Sequence, residues 1–169
     1  VPGVHLPHVH TAYDVFADRA GASGNVIVVG GGLIGLEVAE YLAVRGAHVT
    51  VIEALEGVGR DFGTFRKIPV MESLYAEQIA TMDKTECVEI KQGALVVRKD
   101  SVLQELPCDH VVIAIGSRPH DYDEIKRTCE EDHIPYYVIG DAAKPRRAID
   151  AIHEAAEHVE SEPTKSSLL

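Results

Sequence analysis

Apolar residues are distributed along this chain in two kinds of run. The unbroken kind comes first: residues 25–29 (Asn-Val-Ile-Val-Val), bounded by glycines, and 110–115 (His-Val-Val-Ile-Ala-Ile), ending in Gly116, lack polar alternation. Strands buried on both faces of a parallel sheet have this pattern. The second kind is periodic. Over 33–45, Leu33, Leu36, Val38, Ala39, Leu42 and Ala43 recur at helical spacing, and Gly46 stands where a left-handed C-cap is expected. Residues 48–52 return to strand character and end on Glu53. Strand, helix and parallel strand make one right-handed β-α-β unit.

Around this unit the pattern is looser. Residues 1–10 hold two prolines, one glycine and three histidines, a composition suited to an extended arm. Thr11 and Asp14 have capping-box spacing and predict a short helix to about residue 20. Gly57, Gly59 and Gly63 loosen residues 56–65, and a helix over about 64–74 would carry Pro69 inside it. A strand is expected near 76–81. Segments 87–90, 95–98 and 102–106, with turns at Gln92-Gly93 and Lys99-Asp100, predict an antiparallel meander. Further on come a short helix over 121–131, a strand over 136–139 and a helix from Arg146 to about 160, with Ile149, Ile152, Ala156 and Val159 on one stripe. The expected fold class is α/β: a Rossmann-like doubly wound parallel sheet with an antiparallel β-meander at one side. Its strand order would run 76–81, 48–52, 25–29, 110–115, 136–139. The expected division is an entry arm and short helix (1–23), a nucleotide-binding domain (24–120), a strand and helix (121–160) and a tail (161–169).

Chemistry enters at Gly30-Gly31-Gly32-Leu33-Ile34-Gly35. A G-x-G-x-x-G sequence alone is a weak signal. Here it lies between a buried strand and a helix, with the acidic Glu53 about 20 positions on, which is the dinucleotide-binding context. Gly30 permits the tight turn, Gly32 lets the backbone approach a pyrophosphate, and Gly35 lets the helix pack closely on the strand. The helix start offers unpaired N–H groups to the anion. Glu53 can accept hydrogen bonds from both ribose hydroxyls and would repel a 2′-phosphate, which favours NAD(H) over NADP(H).

Composition narrows the partners. The chain has 169 residues, with 16 Lys+Arg against 27 Asp+Glu and a formal charge of -11, so a nucleic acid or an anionic membrane would be repelled. No apolar run approaches the ~20 residues of a membrane span, and a cytoplasmic location is expected. Cys87, Cys108 and Cys129 match neither a C-x-x-C pair nor zinc-ribbon spacing, and read as reduced thiols. The chain opens on Val1-Pro-Gly without an initiator Met, as an excised piece of something longer would.

Four stretches carry a resemblance: Asn25-Val-Ile-Val-Val-Gly-Gly-Gly-Leu-Ile-Gly-Leu-Glu37, Gly46-Ala-His-Val-Thr-Val-Ile-Glu53, Val111-Val-Ile-Ala-Ile-Gly-Ser-Arg-Pro119 and Val138-Ile-Gly-Asp141. They resemble the pyridine-nucleotide half of two-dinucleotide-binding flavoprotein oxidoreductases. The likeness is strongest to the 2-enoate reductase, 2,4-dienoyl-CoA reductase and NADH:flavin oxidoreductase group, relatives of trimethylamine dehydrogenase. By that resemblance Glu37 would lie near the nicotinamide ribose, the plain alternative being a solvent-facing helix residue. Gly116 would stand at the crossover between nucleotide and flavin domains. Asp141 would hold a ribitol or ribose hydroxyl of FAD, or else serve as a turn acid. Segment 121–160 would be the end of an FAD-binding domain, with the 136–139 strand belonging to the flavin half.

The resemblance implies an NADH-dependent flavin oxidoreductase as the parent protein. Its FAD would be held mostly outside this chain, by a flavin domain and a barrel domain as partners, and the chain alone would be catalytically incomplete. The alternative is a non-enzymatic NAD- or adenylate-binding module, or a relic fold. Apolar faces on 136–139 and 146–160 suggest a homodimer of the fragment. The first glycine loop of such flavoproteins is absent, and no catalytic residue is assigned. His5, His8 and His10 lack a carboxylate or thiol to complete a metal site, and His153 and His158 stand about 140° apart round a helix, so no metal is expected.

Overall fold

The computed structural model describes residues 1–60, 64–119 and 121–161; Gly63 and residues 162–169 of the expected tail lie outside them. Contacts divide the chain into two compact units, Val1–Gly116 and Ser117–Leu169. In the first unit the elements run β1 (Val9–Thr11), α1 (Ala12–Phe16), β2 (Asn25–Val29), α2 (Leu33–Val44), β3 (His48–Ile52), α3 (Thr64–Ala76), β4 (Ala80–Met82), β5 (Thr85–Lys91), β6 (Ala94–Lys99), β7 (Val102–Pro107) and β8 (His110–Ile113). The second unit holds α4 (Asp123–Glu131), a 3-10 turn at Gly140–Ala142 and α5 (Ala148–Ser161).

Two sheets form the first unit. One is parallel throughout, in the order β1-β8-β2-β3-β4; the other is the antiparallel meander β5-β6-β7. Within the parallel sheet Val28 pairs with Val51 of β3 on one side and Val112 of β8 on the other. Alternation then sends residues to opposite faces. Val26, Val28, Val51 and Val112 pack with Leu36, Val38, Leu42, Val15 and Leu74 of the helices. Ile27, Val29, Ile52 and Val111 pack with Ile90, Leu95 and Val97 of the meander. Helices therefore cover one face and the meander covers the other. Both kinds of cover hide apolar strands from water, at about 1.5–3 kcal/mol for each fully buried Val, Leu or Ile.

The sheet order agrees with expectation at four positions and departs from it at the fifth. The place beside β8 is filled by β1, through the register Val9 with Val111 and Thr11 with Ile113. Residues 136–139 form no strand. The segment lies in the second unit, whose described residues hold no strand for it to pair with, and strand propensity without a partner does not make a strand.

Several boundaries also move. The Thr11–Asp14 capping box forms, yet α1 ends at Phe16 because the chain turns at Asp18 with φ 52°. Helix α3 runs through Pro69 to Ala76, so β4 is confined to Ala80–Met82. Strand β8 stops at Ile113, and α5 starts at Ala148. Both meander turns appear near their expected places; at the second, Asp100 (φ 49°) and Ser101 (φ 65°) are both left-handed, as a two-residue hairpin loop requires.

Candidate functional site

In an open parallel sheet the crevice lies beyond the carboxyl ends of the strands, where the connections part in opposite directions. Here that point falls at β2, with β3 on one side and β8 on the other. The glycine loop leaves β2 at this position. Gly30 has φ +112° and donates its N–H to the Ile52 carbonyl at 2.9 Å. A Cβ on Gly30 would meet the Ala114 carbonyl oxygen at 2.5 Å, so the exit of β8 closes tightly on the turn. A Cβ on Gly35 would lie 1.9 Å from the Gly30 carbonyl oxygen, so the first turn of α2 rests directly on the loop.

Gly32 caps α2 with an extended backbone and no side-chain hydrogen bond, and its carbonyl accepts from Leu36 N–H at 3.0 Å. The N–H groups of Leu33, Ile34 and Gly35 come before that first helical bond and point out of the helix start. Together with the positive end of the helix dipole they form an anion cradle.

Glu53 closes the other side. Its Oε2 accepts the Gly31 N–H and its Oε1 the Leu55 N–H, each at 2.8 Å. The side chain is half-buried. Each carboxylate oxygen that accepts one hydrogen bond retains capacity for another, so the group can hold the loop and still accept from a vicinal diol.

The sequence reading missed the loop that follows β3. Gly59 N–H donates to the Gly31 carbonyl at 2.7 Å, and a Cβ on Gly31 would stand only 2.7 Å from Val58 Cγ1. Gly57 N–H donates to Asp83 Oδ2 at 3.0 Å. Lys84 pairs with Glu56 at 2.9 Å, which holds its ammonium above the usual lysine range. The Gly57-Val58-Gly59 triplet was the available signal, but glycine content alone points to looseness and does not identify an acceptor.

The remaining candidate residues are more dispersed. Glu37 is exposed on α2, one residue past Leu36. Gly116 is exposed beyond β8 at φ +100°, with open space round its Cα. Asp141 lies in the second unit and accepts the Arg146 N–H at 3.1 Å, as a turn acid does. Beside it, Glu154 accepts the Gly140 N–H at 2.7 Å and pairs with Arg146; those two contacts hold its carboxyl below the usual range. Burial pushes the Cys87 and Cys108 thiols up, which keeps them protonated and poorly nucleophilic.

The family model for pyridine nucleotide-disulphide oxidoreductases matches residues 1–158. A metal reductase of Desulforamulus reducens is 31% identical, over 85% of this chain and 26% of its own length. An NADH oxidase of Thermoanaerobacter brockii is 34% identical, over 85% of this chain and 22% of its own. The chain thus spans about a quarter of the curated relatives it matches. Among solved structures, 6-hydroxypseudooxynicotine amine oxidase from Pseudomonas geniculata superposes with a TM-score of 0.87 at 23% identity, covering 97% of this chain and 26% of that one. A 2-naphthoyl-CoA reductase gives 0.82 at 24% identity, covering 90% and 23%. At such identities these structures establish the fold alone.

Proposed function

The chain belongs to the pyridine nucleotide-disulphide oxidoreductase family, and from that premise we propose that it is the NAD(H)-binding module of a flavin-dependent NADH oxidoreductase of the enoate reductase-like group. The observation that carries the reading is the pairing of an uncapped α2 start with the Glu53 carboxylate across the same loop. The two features suit the two ends of an adenosine diphosphate. Leu33, Ile34 and Gly35 N–H groups would bind the pyrophosphate, and Glu53 would accept from the ribose diol. Asp83, bonded to the Gly57 N–H, adds negative charge to the β3 exit loop and disfavours a 2′-phosphate, while Glu56 is balanced by Lys84.

A nicotinamide held in this way supplies a hydride. The chain's own part is to bind and orient: α2 fixes the anion, Glu53 fixes the ribose, and Gly30 lets β8 close behind the loop. Glu37 and Gly116 would line the nicotinamide side. Asp141 would contribute to FAD, most of which would be held by flavin and barrel domains of the parent protein.

Calorimetry on the wild type, Glu53→Ala and Gly32→Val tests the proposal. The wild type should prefer NADH to NADPH. Glu53→Ala should lose about 1.5–3 kcal/mol of NADH affinity, the worth of charge-assisted hydrogen bonds, and narrow that preference. Gly32→Val should abolish binding of both, because a branched side chain at the cap blocks phosphate approach. Equal affinities for the two nucleotides in the wild type, or unchanged NADH affinity in both variants, would overturn the reading.

A further inference from the structure

Residues 1–11 form a strap that joins the two sheets of the first unit. At its start, Ile90 N–H of β5 donates to the Pro2 carbonyl at 2.9 Å, and Gly3 is packed against the Ile90 backbone. Val4, Leu6 and Val9 then lie on the apolar cluster between the sheets. At its end, Val111 N–H of β8 donates to the His8 carbonyl at 3.0 Å, and β1 pairs with β8. The strap is thus the fifth strand of one sheet and a fastening on the other.

Imidazoles sit at both fastenings. His8 is 7% exposed, and its Nε2 lies 3.1 Å from the Lys91 carbonyl on β5. A carbonyl only accepts, so Nε2 carries the proton. Nδ1 is left as a bare lone pair, buried and without a partner among the described residues. On β1, His10 Nε2 lies 3.1 Å from His110 Nδ1 of β8, with ring centroids 5.2 Å apart. One of these two nitrogens donates and the other accepts, which requires that one carry a proton and the other a bare lone pair.

We propose that the facing imidazoles of His10 and His110 make the strap acid-releasable, holding β1 on β8 while one facing nitrogen is bare and freeing it when both carry protons. A proton on each facing nitrogen sets N–H against N–H and charge against charge. The charged groups around the pair act in both directions. Burial, His110 and His8 hold the His10 pKa below its ordinary 6.5, while Asp14 of α1, itself tied to Arg19, pulls it upward. The Lys91 ammonium of β5 is paired with Glu105 of β7 at 2.5 Å.

The sign follows from linkage. A histidine with a lowered pKa in the attached state binds fewer protons there than when released, so attachment strengthens as pH rises through the window just below 6.5 and weakens as pH falls through it.

Hydrogen exchange on the full chain, corrected for the intrinsic effect of pH, tests this. Between pH 7.5 and pH 5, protection of the Val111 amide should fall at least tenfold, and that of Val28 and Val51 in the central ladder less than twofold. His10→Gln and His110→Asn should each flatten the response. A wild-type Val111 amide that keeps its protection, or variants that keep the full pH response, would overturn the proposal. If the variants do not fold, imidazole NMR titration of the wild type decides. Two separated steps for His10 and His110 support a shared contact; independent single steps near 6.5 refute it.

Discussion

Two glycines of the β2-α2-β3 unit show how one residue type meets two different demands. Gly46 ends α2 at φ +91° with nothing within 4 Å of a Cβ, so only backbone conformation selects it. Gly35 lies inside α2, where a Cβ would stand 1.9 Å from the Gly30 carbonyl oxygen, so space selects it. Alanine substitution separates the two cases. Gly46→Ala should cost about 1 kcal/mol, the strain of a left-handed L-residue, and Gly46→Asn less. Gly35→Ala must push helix and loop apart and should cost about 3 kcal/mol, with lost NADH binding as the functional counterpart. Urea unfolding of the three variants checks the ranking, and equal costs for the two alanine variants would refute the steric account. At Glu53 the same scale teaches another point: the residue type was legible from its place after β3, but its bonds to Gly31 and Leu55 were not, since they depend on how the next loop folds back.

Among the elements, α3 departs most from simple propensity. Pro69 in its interior removes one helical hydrogen bond and crowds the carbonyl one turn earlier. The helix persists because tertiary contacts hold it: Leu74 is buried, Val70 packs on the same cluster, and Ser73 donates to Glu40 of α2. Pro69→Ala should therefore stabilise the protein by about 2 kcal/mol, the helix-interior penalty less the gain in unfolded-state entropy. A raised urea midpoint with an unchanged slope is the expected result, and a lowered midpoint would mean that the proline shapes α3 in a way the core needs. The short α1 illustrates the opposite balance. Its capping box is complete, with Asp14 N–H donating to Thr11 Oγ1 at 3.1 Å and Thr11 N–H to Asp14 Oδ2 at 3.2 Å; the Thr11 hydroxyl, which donates to Asp14 Oδ2 at 2.6 Å, and then the Thr11 N–H hold the Asp14 carboxyl below the usual range.

For the first unit as a body, stability should follow the layer between the sheets. Leu95 of β6 is fully buried against Ile27, Val29 and Val111, whereas Leu103 of β7 is 58% exposed. Leu95→Ala should cost about 3 kcal/mol through lost transfer energy and a residual cavity. Leu103→Ala should stay within about 0.5 kcal/mol. Thermal or urea unfolding compares them; similar losses would mean that the meander does not cover the sheet as described. The second unit has a different balance. Ile125, Ile149, Ile152 and Val159 are all exposed, so its described helices bury little apolar surface of their own.

The sequence by itself determined the β2-α2-β3 unit, the glycine loop, the identity of β8 and the meander. Each rests on a local signal: strands buried on both faces leave an unbroken apolar run, and a turn that admits no Cβ leaves a glycine. The tertiary structure alone decided which segment stands beside β8. Residues 136–139 are the more strand-like stretch, yet β1 occupies the edge, held by its ladder to β8 and by the strap's bonds to β5. Strand pairing depends on which distant segments meet, and hydropathy along the chain records a segment's appetite for a partner but not which partner it finds. The same reason hid the His10–His110 contact. The two residues are 100 positions apart in sequence, and only the parallel register of β1 on β8 makes them neighbours.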